Sequence, residues 1–398
     1  MAVQDLRVRG LIPMNSQDAF LQIVRLGIGH SADRITDEID WNDIQDFAEQ
    51  QGLYAIVLDG VEKLPVSLHP PQDLLLEWIG EVLQDYEQRF KQYKRAIAEL
   101  ASFYNSHGYK MMVLKGYACG LNWPKPEHRP YGDIDIWQFG QQKEADALLE
   151  SLEFGDESLE SVDSSKSSKC LDKLGGKAEG KSSKIVIDTS HHHHTVFEWQ
   201  GFTVENHYDF VNVYHRKSNR ELEAIFKELG ADDSHFVEVK GEKVFLPSPN
   251  LHVLFLLKHT MNDFTSFSMN LRQLLDWAFF VEKHSKEIEW KWLVGVLEKY
   301  HMLDFFNTIN AICVEELGFD ASIFFSHQIM QGLKDKVLKD ILEPKFTAEE
   351  STSLIPRLIY KYRRWRGNAW KHELCYQESM WSTFWYGVWG HLLKPKSI

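Results

Sequence analysis

Apolar positions change period twice along this chain, and the two changes divide it into three regions. In SQDAFLQIVRLGIG and TDEIDWNDIQDFAEQQG, apolar residues recur at three- and four-residue spacing behind a capping-type residue, which predicts helices. A longer amphipathic helix is predicted from about Gln72, after Pro71, to Ser106, with Gly108 placed to end it. At Tyr109 the period shortens. YKMMVLKG reads as a buried strand, YGDIDIW as a second strand after a Pro-rich loop, and QKEADALLESLEF as a helix. KIVIDTS and TVFEWQGFTVENHYDF return to strand patterning, with Gln200-Gly201 between two alternating runs as a hairpin turn would be. From Pro249 the helical period resumes in NLHVLFLLKHTMND, NLRQLLDWAFFVEKHS, WKWLVGVLEKY and FFNTINAICVEELG. The expected fold class is α+β: a small mixed sheet with flanking helices over 90–247, between a helical N-terminal region (1–89) and a helical C-terminal domain (248–398).

One segment fits no period. Residues 156–184 hold eight serines, six lysines, six acids and three glycines with almost nothing to bury, and read as a mobile surface insertion. The rest of the composition is ordinary for a folded protein, at 43% hydrophobic and 26% charged. A formal net charge of −14 argues against long nucleic acid as a partner. Four widely spaced cysteines without a C-x-x-C pair read as reduced thiols. With no signal-peptide pattern and no apolar run of about 20 residues, a cytoplasmic location is expected.

The chemistry is concentrated in the central region. Side chains alternate in a strand, so Asp133 and Asp135 share one face while Ile134 and Ile136 share the other. Two carboxylates so placed repel unless a cation lies between them, and a divalent ion with oxygen ligands is a common solution. In the later run Glu205 and His207 share a face, which offers a third carboxylate on a neighbouring strand, with Glu198 as the alternative. Three acids converging from adjacent strands suit two-metal phosphoryl or nucleotidyl transfer. Asp133, Asp135 and Glu205 are therefore the candidate catalytic and metal-binding residues, with Mg²⁺ or Mn²⁺ as the expected ion. Lys115, Gly116, Arg129 and Gly132 are the candidates for holding phosphate: lysine as a point charge, glycine for close backbone approach, and arginine for bidentate clamping. The competing role for Lys115 is a buried salt bridge to one of the aspartates.

L-K-G, R-x-x-G-D-I-D-I-W, V-E-N-H-Y and L-R-Q-L-L-D-W together resemble an uncharacterised nucleotidyltransferase family, of the type abundant in Bacteroides-like bacteria, within the DNA polymerase beta-like nucleotidyltransferase superfamily. The resemblance covers about residues 90–320 outside the insertion and, more loosely, the basic, Trp-rich C-terminus. It implies a nucleotidyltransferase-type sheet, with Asp133 and Asp135 as the paired metal-binding aspartates, Glu205 as the third carboxylate, and Gly116 as the glycine before a short helix. Tyr117 stands where that superfamily has a small residue touching phosphate, and 16 residues separate Gly116 from Asp133, more than its commonest spacing. The function implied is transfer of a nucleoside monophosphate from an NTP to a hydroxyl of an unidentified small-molecule, glycan or protein acceptor. The alternatives are an inactive or weak nucleotide- or partner-binding module on the same fold, and a kinase-like phosphotransferase.

Three further features stand outside this set. His191 to His194 lack a Cys or carboxylate at a ligand spacing, so zinc is not expected there; the run reads as the solvated start of a strand or a wall of the substrate cleft, with Asp188 nearby. Arg272 and Asp276, at i and i+4, read as holding the helical domain against the sheet. Six basic residues and no acid lie between Arg357 and Lys371, followed by Trp381, Trp385 and Trp389. Packing of these tryptophans on the helical domain is expected, with weak membrane-surface or polyanion contact through 357–389 as the functional counterpart.

Overall fold

The structure is a computed structural model and describes residues 15–151, 185–213, 217–326, 332–346 and 354–389, apart from 33–34, 36–38, 378, 380, 383 and 386–387. The expected insertion at 156–184 lies outside the described residues.

The N-terminal helices are α1 (Ser16–Gly27), α2 (Trp41–Gln50) and α3 (Tyr54–Val61). Asn15 and Asp40 cap α1 and α2 by accepting backbone N–H bonds, the expected use of short polar side chains at a helix start. The predicted long helix forms as α4 (Gln72–Glu81), a π-helical stretch over Val82–Gln88, and α5 (Arg89–Ser106). Gly108 follows with φ +80°, a left-handed value that suits a residue without Cβ.

The central region contains β1 (Met112–Val113), a short helix α6 (Tyr117–Gly120), β2 (Ile134–Trp137), α7 (Gln142–Glu150), β3 (His194–Trp199), β4 (Phe202–His207), α8 (Lys217–Leu229), β5 (Phe236–Val239) and β6 (Glu242–Phe245). The six strands form one sheet in the order β3-β4-β2-β1-β6-β5. Two of its pairings, β2 with β4 and β1 with β6, are parallel and the others antiparallel. The fold class is therefore α+β with a mixed sheet, as expected. Gln200 and Gly201 both have positive φ and close a two-residue hairpin whose twist matches its strands. Lys240 and Gly241 do the same between β5 and β6, a hairpin the sequence reading passed over. KIVIDTS, expected as a strand, contributes a single bridge between Asp188 and Val196.

The C-terminal helices are α9 (Pro249–Ser266), α10 (Leu271–His284), α11 (Trp290–Lys299), α12 (Leu303–Glu315), α13 (Leu333–Leu342), α14 (Leu354–Gly367) and α15 (Ala369–Tyr376). They share one hydrophobic core with the N-terminal helices, and that core reaches one face of the sheet through Met112, Leu114 and Trp137. Gln51 staples the two helical regions: its amide donates to Ile341 O at 2.9 Å and accepts from Leu271 N at 3.0 Å. The other face of the sheet, carrying Val113, Ile134, Ile136 and Val204, packs in a second core with α5 and α7. So the polar face of β2 and β4 is confined between the sheet and the C-terminal helices.

The tryptophan expectation is corrected. Trp381, Trp385 and Trp389 are 68%, 64% and 61% exposed, and so are not packed into the helical domain. Among the described residues, no helix is long and apolar enough to cross a membrane.

Candidate functional site

The parallel register places Asp135 directly beside Glu205. Asp133 precedes Asp135 by two residues, and pleating sends all three carboxylates to the face away from Ile134, Ile136 and Val204. They line a cavity of about 510 Å³, together with Lys115, Gly116 and Gly132, and with residues of α9 and α10 opposite. That volume suits a small-molecule ligand.

The three acids are not equivalent. Asp135 is buried, with Lys115 Nζ 2.9 Å and His207 Nε2 3.3 Å from its Oδ1. Burial alone would push its carboxyl up, but the Lys115 ammonium and the His207 contact outweigh this and hold it well below the usual carboxylate range. Lys115 responds in kind: burial would lower it, yet Asp135 and then Glu205 keep it above the ordinary lysine value. Asp133 has no such partner among the described residues. Burial, then the charge of Asp135, raises its carboxyl. Glu205 is raised for the same two reasons. The cation anticipated between the aspartates is thus partly supplied by the protein itself, and two acids remain short of positive charge.

Gly116 links the phosphate-binding candidates to the acids. It has φ +52°, and a Cβ there would lie 2.2 Å from the hydroxyl of Tyr93. That hydroxyl donates to Asp133 O at 2.9 Å. Tyr93 is fully buried against Tyr131 and Phe202, with ring centroids at 4.7 and 5.2 Å, so it has no room to yield. α6 follows Gly116 as the family resemblance implies. Tyr117, the residue out of pattern, packs into the second core and does not line the cavity.

The 16 residues between Gly116 and Asp133 are accounted for by an anchored loop. Lys125 and His128 both reach Asp59, at 2.6 and 2.8 Å, and Trp123 Nε1 donates to Asp276 at 2.8 Å. Arg129, expected to clamp phosphate, directs its fork at Asp276 instead. Nε donates at 2.8 Å and one terminal nitrogen at 2.9 Å, while the other donates to Pro130 O at 2.9 Å. Three of its five N–H donors are engaged in this way, while the guanidinium also borders the cavity. Burial would raise Asp276, but Arg129 outweighs it and the carboxyl lies below its ordinary value.

Arg272 does face the cavity, with a terminal nitrogen 3.6 Å from Asp276 Oδ2. Burial and the neighbouring Arg129 lower its pKa, the mark of a cation whose nearest anion is already shared. The helix motif Leu271–Trp277 therefore does two things: Asp276 ties α10 to the loop before β2, as expected, and Arg272 presents a cation across from the acids. His259, on α9, also lines the cavity, 3.2 Å from Lys115 Nζ.

Of the alternatives, Glu198 is exposed, accepts from Thr203 at 2.9 Å and does not line the cavity, although its charge still reaches Asp133. Asp188 takes the Ser190 N–H at 2.8 Å and faces His191 at 3.6 Å, not the cavity. Sequence reasoning missed His259 and Tyr93, and it singled out His207 and Arg272 without giving them a part in the site. For His207 the signal was present, since it shares the face of Glu205, and for Arg272 the helix motif was; His259 and Tyr93 come from helices whose packing no local pattern reveals. Two residue groups hold ligand atoms within 4.8 Å of one another as a metal centre would: Asp135, Glu205 and His207, and separately His193, His194 and His207. Burial, followed by neighbouring imidazoles, lowers His194 to about 3.

A mixed sheet whose polar face gathers three acids and flanking cations under a helical layer defines an α+β protein with a charged cleft. Residues 37–318 match the family described as uncharacterised nucleotidyltransferase, and the chain belongs to that family. The match takes in every cavity residue named above and starts earlier than the resemblance in the motifs. Family membership supports a nucleotidyl-transfer role. No curated protein and no solved structure matches the chain.

Proposed function

We propose that this protein is a metal-dependent nucleotidyltransferase of the DNA polymerase beta-like superfamily, moving a nucleoside monophosphate from an NTP to a hydroxyl of a small molecule, glycan or protein. The observation that carries the reading is the in-register pair Asp135 and Glu205 on adjacent parallel strands, with Asp133 two residues away, at the floor of one cavity. Asp133, Asp135 and Glu205 would hold Mg²⁺ or Mn²⁺, which supplies Lewis-acid neutralisation of phosphate charge and activation of the attacking hydroxyl. The donor set fits a hard ion, being carboxylate oxygen, and Asp133 and Glu205 still lack counter-charge. Lys115 and Arg272 supply positive charge to the triphosphate from two sides. Arg129 contributes by fixing the loop that delivers Gly132 and Asp133. In the transfer, the acceptor oxygen bonds to the α-phosphorus as the bond to the β-phosphate bridging oxygen breaks and pyrophosphate leaves.

The Lys115–Asp135 ion pair supports a second reading, a module that binds a nucleotide or partner without turnover, because an ammonium already occupies part of the cation's place. The acidic net charge favours acceptors other than long nucleic acid. The basic stretch 357–371 and the exposed tryptophans beyond it support weak contact with a membrane surface or polyanion.

One experiment separates the readings. Purified protein is incubated with Mg²⁺ or Mn²⁺, a cell extract, and each NTP labelled at either the α- or the γ-phosphate. Nucleotidyl transfer puts α label on an acceptor. Transfer of γ label instead identifies a phosphotransferase, and no transfer with intact nucleotide binding identifies the binding module.

A further inference from the structure

β3 and β4 end in a second constellation beside the acids. His194 stands directly opposite His207 in the antiparallel register, one step along the same face from Val196 and Glu205. The bend before β3 brings His193 back onto them: its ring centroid lies 4.4 Å from that of His194 and 5.5 Å from that of His207, and the latter two are 5.3 Å apart. His193 Nδ1 and both ring nitrogens of His194 are buried without a hydrogen-bond partner among the described residues. Buried polar nitrogens are normally satisfied, so these lack something to bond. A small cavity of about 80 Å³ opens against His193, His207 and Glu205.

We propose that His193, His194 and His207 form a second metal site, for a borderline transition ion of the Zn²⁺ or Co²⁺ class, with Glu205 as the fourth ligand. The ligand chemistry separates it from the neighbouring carboxylate set: neutral imidazole nitrogen suits zinc-class ions, whereas carboxylate oxygen suits Mg²⁺. Glu205 Oε2 is 3.7 Å from His194 Nδ1 and 3.8 Å from His207 Nε2, so the carboxylate needs little movement to join. Imidazole nitrogens around one tetrahedral ion sit about 3.4 Å apart, and the three here, within 4.8 Å of one another, reach that by ring rotation. Lys115 and Lys258 line the same small cavity, which makes the Glu205 charge necessary for holding a dication there. His207 couples the two sites. Its Nε2 now contacts Asp135 at 3.3 Å, and recruitment to the ion takes away one of the two groups holding that aspartate. The inference shares Glu205 with the proposed catalytic set but does not depend on nucleotide turnover.

The test is a Co²⁺ titration of the full-length protein without nucleotide, followed by visible absorption and by Zn²⁺ competition. Wild type should show the intense bands of a tetrahedral nitrogen-ligated ion, displaced by Zn²⁺. His193→Ala and the volume-conserving His194→Gln should each weaken Co²⁺ binding at least tenfold, while the double variant His191→Ala/His192→Ala and Asp133→Asn keep it. Melting curves of each metal-free variant check folding, and His193→Ala, at a partly exposed position, serves if His194→Gln melts early. The site is overturned if wild type gives only the weak bands of an octahedral oxygen-ligated ion. It is equally overturned if His193→Ala and His194→Gln bind within twofold of wild type, or if the His191/His192 double variant accounts for the binding. Loss of the nucleotide-dependent thermal shift with the cobalt bands retained would remove the proposed transferase reading and leave this site standing.

Discussion

Two buried acids in this molecule carry the same kind of partner and end in different conditions. Asp276 takes a two-pronged bond from Arg129 and a third from the Trp123 indole, each at 2.8–2.9 Å, and the arrangement is closed. Asp135 has an ammonium at 2.9 Å and an imidazole at 3.3 Å, but Asp133 and Glu205 stand beside it with raised carboxyls and open cavity in front. In the first cluster Asp276 is fully engaged by Arg129 and Trp123 and holds α10 to the loop before β2, with Arg272 left over as a cation toward the same cavity. In the second the acids exceed the fixed cations, and the surplus faces a space large enough for a ligand. Burial and an ion pair therefore do not mark a functional site by themselves; unmatched charge at a cavity wall does.

The largest expected effect breaks the closed cluster. Asp276→Asn leaves Arg129 buried opposite a neutral amide and should cost about 3–5 kcal/mol, read as a lower midpoint in urea unfolding. If stability holds while nucleotide binding vanishes, the roles of the two clusters are reversed.

Glu223 sharpens the comparison as a buried acid held mainly by backbone N–H groups. It accepts from Phe210 N and Val211 N at 3.1 and 3.0 Å, Lys227 is 3.7 Å away, and burial raises it from 4.5 to about 7. A folded value above the unfolded one means that its stabilising contribution is present below pH 4.5 and lost as pH rises through about 7. The difference across that window is about 3 kcal/mol. Glu223→Gln should remove this part of the pH slope, measured as the difference between wild-type and variant unfolding free energies at pH 4.5 and 8.

For the open cluster, Mg²⁺ with NTP at about 100 times its dissociation constant should stabilise wild type by about 2.7 kcal/mol in a thermal melt. Asp133→Asn, Asp135→Asn and Glu205→Gln should each lose that gain. The metal-free proteins should then differ: Asp133→Asn melts at or above wild type, because it removes an unmatched, partly buried charge, whereas Asp135→Asn melts lower, because Lys115 is left without its partner. The sequence had suggested unrelieved repulsion at both aspartates, and Lys115 and His207 are the reason for separating them. Retention of the whole nucleotide shift in all three variants would remove the site.

The smallest effect concerns Gly116. Gly116→Ala forces a left-handed backbone and a clash with the Tyr93 hydroxyl, for about 2 kcal/mol, and should displace Asp133 through the Tyr93 bond. A nucleotide shift that falls further than stability does would show that displacement; equal loss in both would confine Gly116 to packing.

Much of this was legible in the sequence, and for a physical reason. Period-2 alternation in a strand is local, so Asp133, Asp135 and the shared face of Glu205 and His207 were readable without knowing what packs on them. The hairpin turn at Gln200-Gly201 was readable too, since positive φ is a property of the turn itself. The helical period likewise announced most helices before and after the sheet. Partnership was not local. Whether Arg129 meets a phosphate or Asp276, 147 positions later, depends on where α10 lands. The placing of Lys115 on Asp135 was one of two readings, and only the sheet order, which seats β1 next to β2, decided it. His193 and His194 are neighbours in sequence, and alternation alone would send them to opposite faces; the bend before β3 brings their rings together, with centroids 4.4 Å apart. The chain by itself thus determined which side chains line each face of each element, because backbone geometry sets that within a few residues. The tertiary structure alone decided which charges cancel and which are left over, because cancellation depends on distances between elements far apart in the chain.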